Sequence, residues 1–191
     1  MHSFRTIIFT AIFLLIGLYA TADEVWRLRY STLISAENEI TRGSSTSPAD
    51  MNTSSQSGNF VFANGIGLGY STKMTNGNLE NISFKFKNSS LDLSYTIGSS
   101  FSFTLGAARM INGHGEIILD SVDYSTESVS GESIFLNLGI PFLGGEFLLG
   151  YRQDNSKFKN YQCQMSGKSV ILNESVNLIS AQINAGIGFF F

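Results

Sequence analysis

The residues best placed to do chemistry lie in Asn112-Gly113-His114-Gly115-Glu116, where a histidine stands two positions from a carboxylate. A histidine base oriented by Glu116 and acting on a loop serine hydroxyl is the arrangement of nucleophilic hydrolysis. Glycines flank His114 on both sides, and a single histidine in such a setting serves first as a solvated turn residue. The chain is therefore not expected to be an enzyme, with lipid modification as the outside alternative. Gly65-Ile66-Gly67-Leu68-Gly69 has the look of a phosphate-cradling loop, but that loop must open a helix. Here the alternation of large and small residues simply continues through Tyr70, so no nucleotide site is expected. Cys163 is the single cysteine. It provides neither a disulfide framework nor a metal cage, and no cofactor is expected. What remains is a set of charges scattered along alternating segments: Arg27, Arg29, Lys85, Lys87, Asp92, Glu146 and Arg152.

The elements that carry these charges alternate with a period of two, the period of a strand with unlike faces. Trp26, Leu28, Tyr30, Thr32 and Ile34 share one face of the first segment, with Arg27, Arg29 and Ser31 on the other. Residues 59–72 repeat the pattern, with Phe60, Phe62, Ile66, Leu68 and Tyr70 opposite a row of small residues. Thr75-Asn76-Gly77-Asn78 contains the Asn-Gly pair of tight hairpins. It predicts a turn before Ile82, Phe84 and Phe86, which face outward, with Lys85 and Lys87 inward. Asn88-Ser89-Ser90 predicts another turn, and Leu91, Leu93, Tyr95 and Ile97 then alternate with Asp92, Ser94 and Thr96. Further strands are predicted from Phe101 to Ala107, Ser133 to Ile140, Glu146 to Arg152 and Val176 to Phe191. Three polar stretches (37–58, 112–131 and 153–174) lack periodicity and are expected to be long exposed loops.

Apolar residues make up 43% of the 191-residue chain and charged residues only 14%, well below the quarter or so of a soluble domain. A net charge of −3 offers nucleic acid no basic surface, so nucleic acid is not an expected partner. Residues 1–22 carry Arg5, the apolar run Ile7 to Ala20 and the small-x-small sequence Ala20-Thr21-Ala22. They are expected to be a cleaved signal peptide, leaving 23–191 as one domain. The C-terminal segment VNLISAQINAGIGFFF places Ile179, Ala181, Ile183, Ala185, Ile187, Phe189 and Phe191 on one face and polar or small residues on the other.

That ending, the alternation and the order of links resemble the small eight-stranded outer-membrane barrels of the OmpA, OmpX and OmpW type. The expected fold is all-β, a closed antiparallel up-and-down transmembrane β-barrel of about eight strands. The resemblance implies a bacterial outer-membrane location, contact with outer-membrane lipid, and a monomer. It also implies that Ile187, Phe189 and Phe191 form a C-terminal signal for barrel-assembly machinery. Arg27, Arg29, Lys85, Asp92, Glu146 and Arg152 are expected to form a charge network in the lumen, because isolated charges there are costly. The expected function is a structural or interaction barrel displaying polar loops around a side-chain-plugged lumen. The alternative is a narrow porin-like channel, or the OmpW-like channel for small or apolar solutes that the resemblance implies.

Overall fold

The computed structural model describes residues 25–191 apart from 44, 49–50, 80–81, 99–100, 120–121 and 166–167. The expected signal peptide lies outside the described residues. Ten strands form one antiparallel sheet: β1 (Arg27–Arg42), β2 (Ser45–Pro48), β3 (Met51–Val61), β4 (Ile66–Leu79), β5 (Ile82–Ile97), β6 (Ser102–Leu119), β7 (Val122–Thr126), β8 (Ser128–Phe142), β9 (Gly145–Met165) and β10 (Lys168–Phe190). Eight of them pair in a ring, in the order β1, β3, β4, β5, β6, β8, β9, β10. The β1–β10 ladder runs from Arg27–Phe190 to Arg42–Val176 and closes the ring. β2 folds back on the end of β1, and β7 continues the line of β8 against β6. The end where Trp26 and Phe191 exchange backbone hydrogen bonds is called the near end below, and the opposite end the far end.

The strand count matches the expectation, but two boundaries differ and offset one another. Residues 59–72 are two strands joined by a turn at Phe62–Gly65, not one. The turn is closed by Phe62 N–H donating to Ile66 O and Gly65 N–H to Phe62 O, both at 2.8 Å. Asn64 Oδ1 accepts from Ile66 N at 3.1 Å, and Gly65 supplies φ +84°, which favours glycine. The hairpin signal was thus Asn64-Gly65. The expected turn at Asn76-Gly77 instead lies inside β4, paired with Lys85 and Phe84. Conversely, Asn88-Ser89-Ser90 is no turn, and 82–97 form a single strand.

The three polar stretches are largely strand rather than loop. β1 runs to Arg42, β6 to Leu119 and β9 to Met165. Strands of 16, 18 and 21 residues exceed the 9–11 or so that a tilted membrane strand needs. In their far halves the outward apolar rows give way to polar residues, so period-two hydrophobicity fades while the backbone ladder continues.

Facing reverses between the two halves. Near the termini the exposed side chains are apolar, including Leu28, Leu68, Leu93, Phe103, Leu136, Leu149 and Ile187. On β8 this belt runs from Ile134 to Phe142, about 20 Å of height at the usual rise and tilt. Toward the far end the interior is apolar instead. Ile40, Phe84, Phe86, Ile117, Phe158, Tyr161, Val176 and Leu178 pack there as one buried cluster. β5 makes the exchange without changing phase: even-numbered residues point inward throughout, so Asp92 and Phe84 share a face while Lys85 and Lys87 are exposed. β1 and β6 change phase. The ladders skip Ile34 and Ile111, both of which point outward and are exposed. Such bulges turn the following side chains to the other face. Arg29 and Ile40 therefore both face inward, as do Thr104 and Ile117.

Candidate functional site: the ion-paired lumen

β1 brings Arg27 and Arg29 into the near third of the lumen, and β9 brings Glu146 to meet them. Arg29 Nε donates to Glu146 Oε1 at 2.6 Å and Nη2 to Oε2 at 3.1 Å. Arg27 Nη1 reaches Oε2 at 3.0 Å, and Ser102 Oγ donates to it at 2.6 Å. Further guanidinium donors are also occupied. Arg29 Nη1 meets Thr96 and Thr104, Arg29 Nη2 meets Ser102, and Arg27 Nη2 meets Gly98 O. Shared two-point contacts of this kind are the strong form of the arginine–carboxylate pair. The glycines around Glu146 make room for it. A Cβ at Gly188 would lie 2.7 Å from Glu146 Cγ, and one at Gly139 would overlap its carboxylate.

A second layer crosses the lumen farther from the termini. Arg152 holds Asp92 through Nη1 at 2.9 Å and Nη2 at 3.2 Å, while its Nε donates to Asp154 at 2.9 Å. Lys73 Nζ lies 2.9 Å from the other Asp154 oxygen, to which Gln182 Nε2 also donates. Ser71 donates to Asp92, and the Arg152 guanidinium sits over the Phe135 ring. Between the two layers lies a polar cavity of about 20 Å³ lined by Arg29, Asn59, Asp92 and Arg152, room for about one water. Asn59 Oδ1 is buried without a hydrogen-bond partner among the described residues, so a water there has an acceptor to satisfy.

Beyond the second layer, Asn88 donates to Ser156, and the apolar cluster then fills the bore. Phe86 and Phe158 stack at 4.5 Å between ring centroids, with Phe84 at 5.8 Å from Phe86. The lumen is thus packed at three levels, two ionic and one apolar. Four cationic side chains (Arg27, Arg29, Lys73, Arg152) and three carboxylates (Asp92, Glu146, Asp154) lie in it among the described residues.

Of the six residues expected in a lumen network, five lie there: Arg27, Arg29, Asp92, Glu146 and Arg152. Lys85 does not. It stands on the outer wall and pairs at 3.4 Å with Glu116, because β5 runs unbroken and even-numbered residues take the interior. Sequence reasoning missed Lys73 and Asp154. Continuing the inward parity of Gly67, Gly69 and Ser71 by one step reaches Lys73, and continuing Glu146, Leu148, Gly150 and Arg152 reaches Asp154. Cys163, expected in a loop, is buried inside β9. His114 Nε2 and Glu116 Oε1 are 3.0 Å apart, but no serine hydroxyl bonds to His114 among the described residues. Ile187 and Phe189 face outward on β10, opposite Tyr30 and Leu28 of β1, and Phe191 is exposed at the near rim.

Comparison with solved structures places the fold. Neisserial surface protein A aligns with a TM-score of 0.60 and 12% identity, over 87% of this chain and 97% of that one. Ail, the attachment invasion locus protein of Yersinia pestis, aligns at 0.48 and 15% over 87% and 99%. The outer membrane protein OprG of Pseudomonas aeruginosa aligns at 0.42 and 12% over 89% and 97%. All three are small eight-stranded outer-membrane β-barrels, and the first shows that this chain shares their fold. No family model and no curated protein matches the chain.

Proposed function

We propose that this chain is a bacterial outer-membrane barrel of structural or interaction type, with a sealed lumen and a far end that stands above the membrane as the displayed surface. The observation that carries this reading is the three-level packing of the bore, two levels of ion-paired side chains and one of apolar ones. The apolar belt supports the membrane placement, since a contiguous band of that size on a soluble monomer would be unusual. Near-end phenylalanine and tryptophan rings at Trp26, Phe60, Phe62, Phe101, Phe189 and Phe191 suit an interfacial girdle. With the near end in the periplasm, lipid is one partner and the assembly machinery, reading Ile187, Phe189 and Phe191, is the other. Planar-bilayer recording of refolded protein tests the sealed lumen: a silent bilayer is expected, and discrete conductance steps would overturn it.

One observation favours a second reading, a lateral route for small amphipathic solutes. The β1–β3 ladder stops at Thr32–Gln56, and above it the two edges are joined by side chains such as Asn38 and Thr53, 3.1 Å apart. A disulfide engineered across residues 36 and 53 would close this seam. Loss of solute uptake in that variant alone would favour the lateral route.

A further inference from the structure

The outer wall of the far end carries a groove of about 520 Å³ over β4, β5 and β6, within the size range of small-molecule sites. Two cross-strand rows line it: Asn76 opposite Lys85 opposite Glu116, and Asn78 opposite Ser83 opposite Ile118. We propose that this groove binds a hydroxyl-rich sugar, either the oligosaccharide portion of a glycolipid in the surrounding leaflet or a free glycan of the same chemistry.

The lining argues for a sugar over other ligands. Two amides, a hydroxyl, an ammonium and a carboxylate provide donors and acceptors side by side, which suits neighbouring hydroxyl groups that each donate and accept. Ile118 is exposed and offers an aliphatic surface to the C–H face of a sugar ring. Lys85 and Glu116 pair with each other at 3.4 Å, so the groove is formally neutral and gives a phosphate or sulfate no net attraction. Asn76 Oδ1 is buried and has no hydrogen-bond partner among the described residues. An unpaired buried acceptor is costly, and this one is enclosed by the wall, so the groove's accessible polar groups are those of Asn78, Ser83, Lys85 and Glu116. His114, bonded to the same Glu116, helps hold the carboxylate in place.

Position argues for the leaflet as one source, a point that rests on the membrane placement proposed above. Lys85 lies six residues beyond Leu91, the last apolar outward residue of β5. At the usual rise and tilt that is about 15 Å above the apolar belt. At that height a neighbouring glycolipid presents its sugars, with its phosphates and acyl chains lower down.

The test uses the full refolded chain in phosphatidylcholine nanodiscs, titrated with core oligosaccharide freed of its acyl chains, and in parallel nanodiscs containing intact rough lipopolysaccharide. Saturable binding is expected, weakened at least tenfold by Asn78→Ala and by Glu116→Gln and unchanged by Lys157→Ala on another part of the wall. Binding of the freed oligosaccharide supports the site for a soluble glycan as well. Binding confined to the intact glycolipid supports the site with the leaflet as its source. Folded protein that binds neither probe, or binding that all three variants leave unchanged, overturns the proposal. Failure of the wild-type chain to show a heat-modifiable gel shift would instead strike the membrane-barrel reading, and a soluble glycan would then be the only source to test.

Discussion

Phe86 and Phe158 stack 4.5 Å apart inside the barrel, while Leu91 on β5 and Tyr151 on β9, a few residues nearer the termini, face outward and are exposed. The same two strands therefore bury apolar rings in one half and expose them in the other. The membrane placement proposed above, with its surface between these levels, accounts for both choices. Below its surface, lipid takes the apolar side chains and the bore keeps the charges. Above it, water takes the charges and the bore must hold the apolar ones.

Glu146 pairs with both Arg27 and Arg29. In Glu146→Gln the buried Arg29 loses its charged partner, at a cost of about 3–5 kcal/mol. Urea unfolding of refolded protein should show that loss. Pairing the change with Arg29→Met should recover part of it, because the two sites share one network.

Phe158 is fully buried in the far cluster. Phe158→Ala should cost about 3–5 kcal/mol yet leave a planar bilayer silent, since both ionic layers remain beneath it. Conductance in this variant alone would make the apolar cluster the only barrier. Any current through the combined Phe158→Ala, Arg152→Ala variant should show little preference between anions and cations, because three cationic side chains and three carboxylates then remain in the lumen among the described residues.

Lys73 and Lys85 sit on neighbouring strands with opposite surroundings. An amine-reactive acylating reagent applied to folded barrel should modify Lys85 rapidly and leave Lys73 protected, as read by peptide mass spectrometry. Denaturation should equalise them. Equal reaction in the folded state would mean that the lumen admits the reagent.

Acid should loosen the outer wall at Glu116. Burial acts to raise its carboxyl pKa, but hydrogen bonds from His114 and Lys85 and their charges prevail and hold it below the ordinary 4.5. A group depressed on folding contributes stability above its unfolded value and loses it as pH falls through the folded one. The contribution is therefore present at neutral pH and is lost as pH falls below 4.5 and through the folded value. In Lys85→Ala the Glu116 titration, followed by NMR, should move upward.

Deleting Phe191 should lower the amount of barrel inserted while export across the inner membrane continues. Fractionation of periplasm and outer membrane reads both quantities. Normal outer-membrane levels would remove Phe191 from the proposed assembly signal.

The near half of this fold was legible because strands with an apolar outer face and a polar inner one carry one kind of residue at every second position. Leu91, Leu93 and Tyr95 against Asp92, Ser94 and Thr96 left only one facing open. The far half was not legible, for two physical reasons. On β5 the medium changes without any break in the strand, so the swap from Leu91 to Phe86 mimicked a turn at Asn88. On β1 and β6 single extra residues at Ile34 and Ile111 changed the phase, and a bulge leaves no compositional mark. The lumen network was readable as far as the alternation was followed. Lys73 and Asp154 lay one step past the points where strands were taken to end. The Asn64-Gly65 turn was misplaced for a simpler reason: two Asn-Gly pairs stand twelve positions apart, and only tertiary pairing decides between them.

Ring closure through β1 and β10 also has a consequence for synthesis. The seam joins Trp26 to Phe191, nearly the longest sequence separation the described chain allows, so no shorter portion beginning at β1 can complete the ring. Until β10 arrives, two rows of unpaired amides and carbonyls face their surroundings. Folding is then slow, since the costliest loop closure comes last, and exposed edges invite pairing between chains. On the outer-membrane reading proposed above, a chain built this way calls for an escort that shields its edges until closure, and its growth is limited by that escort as much as by its own stability.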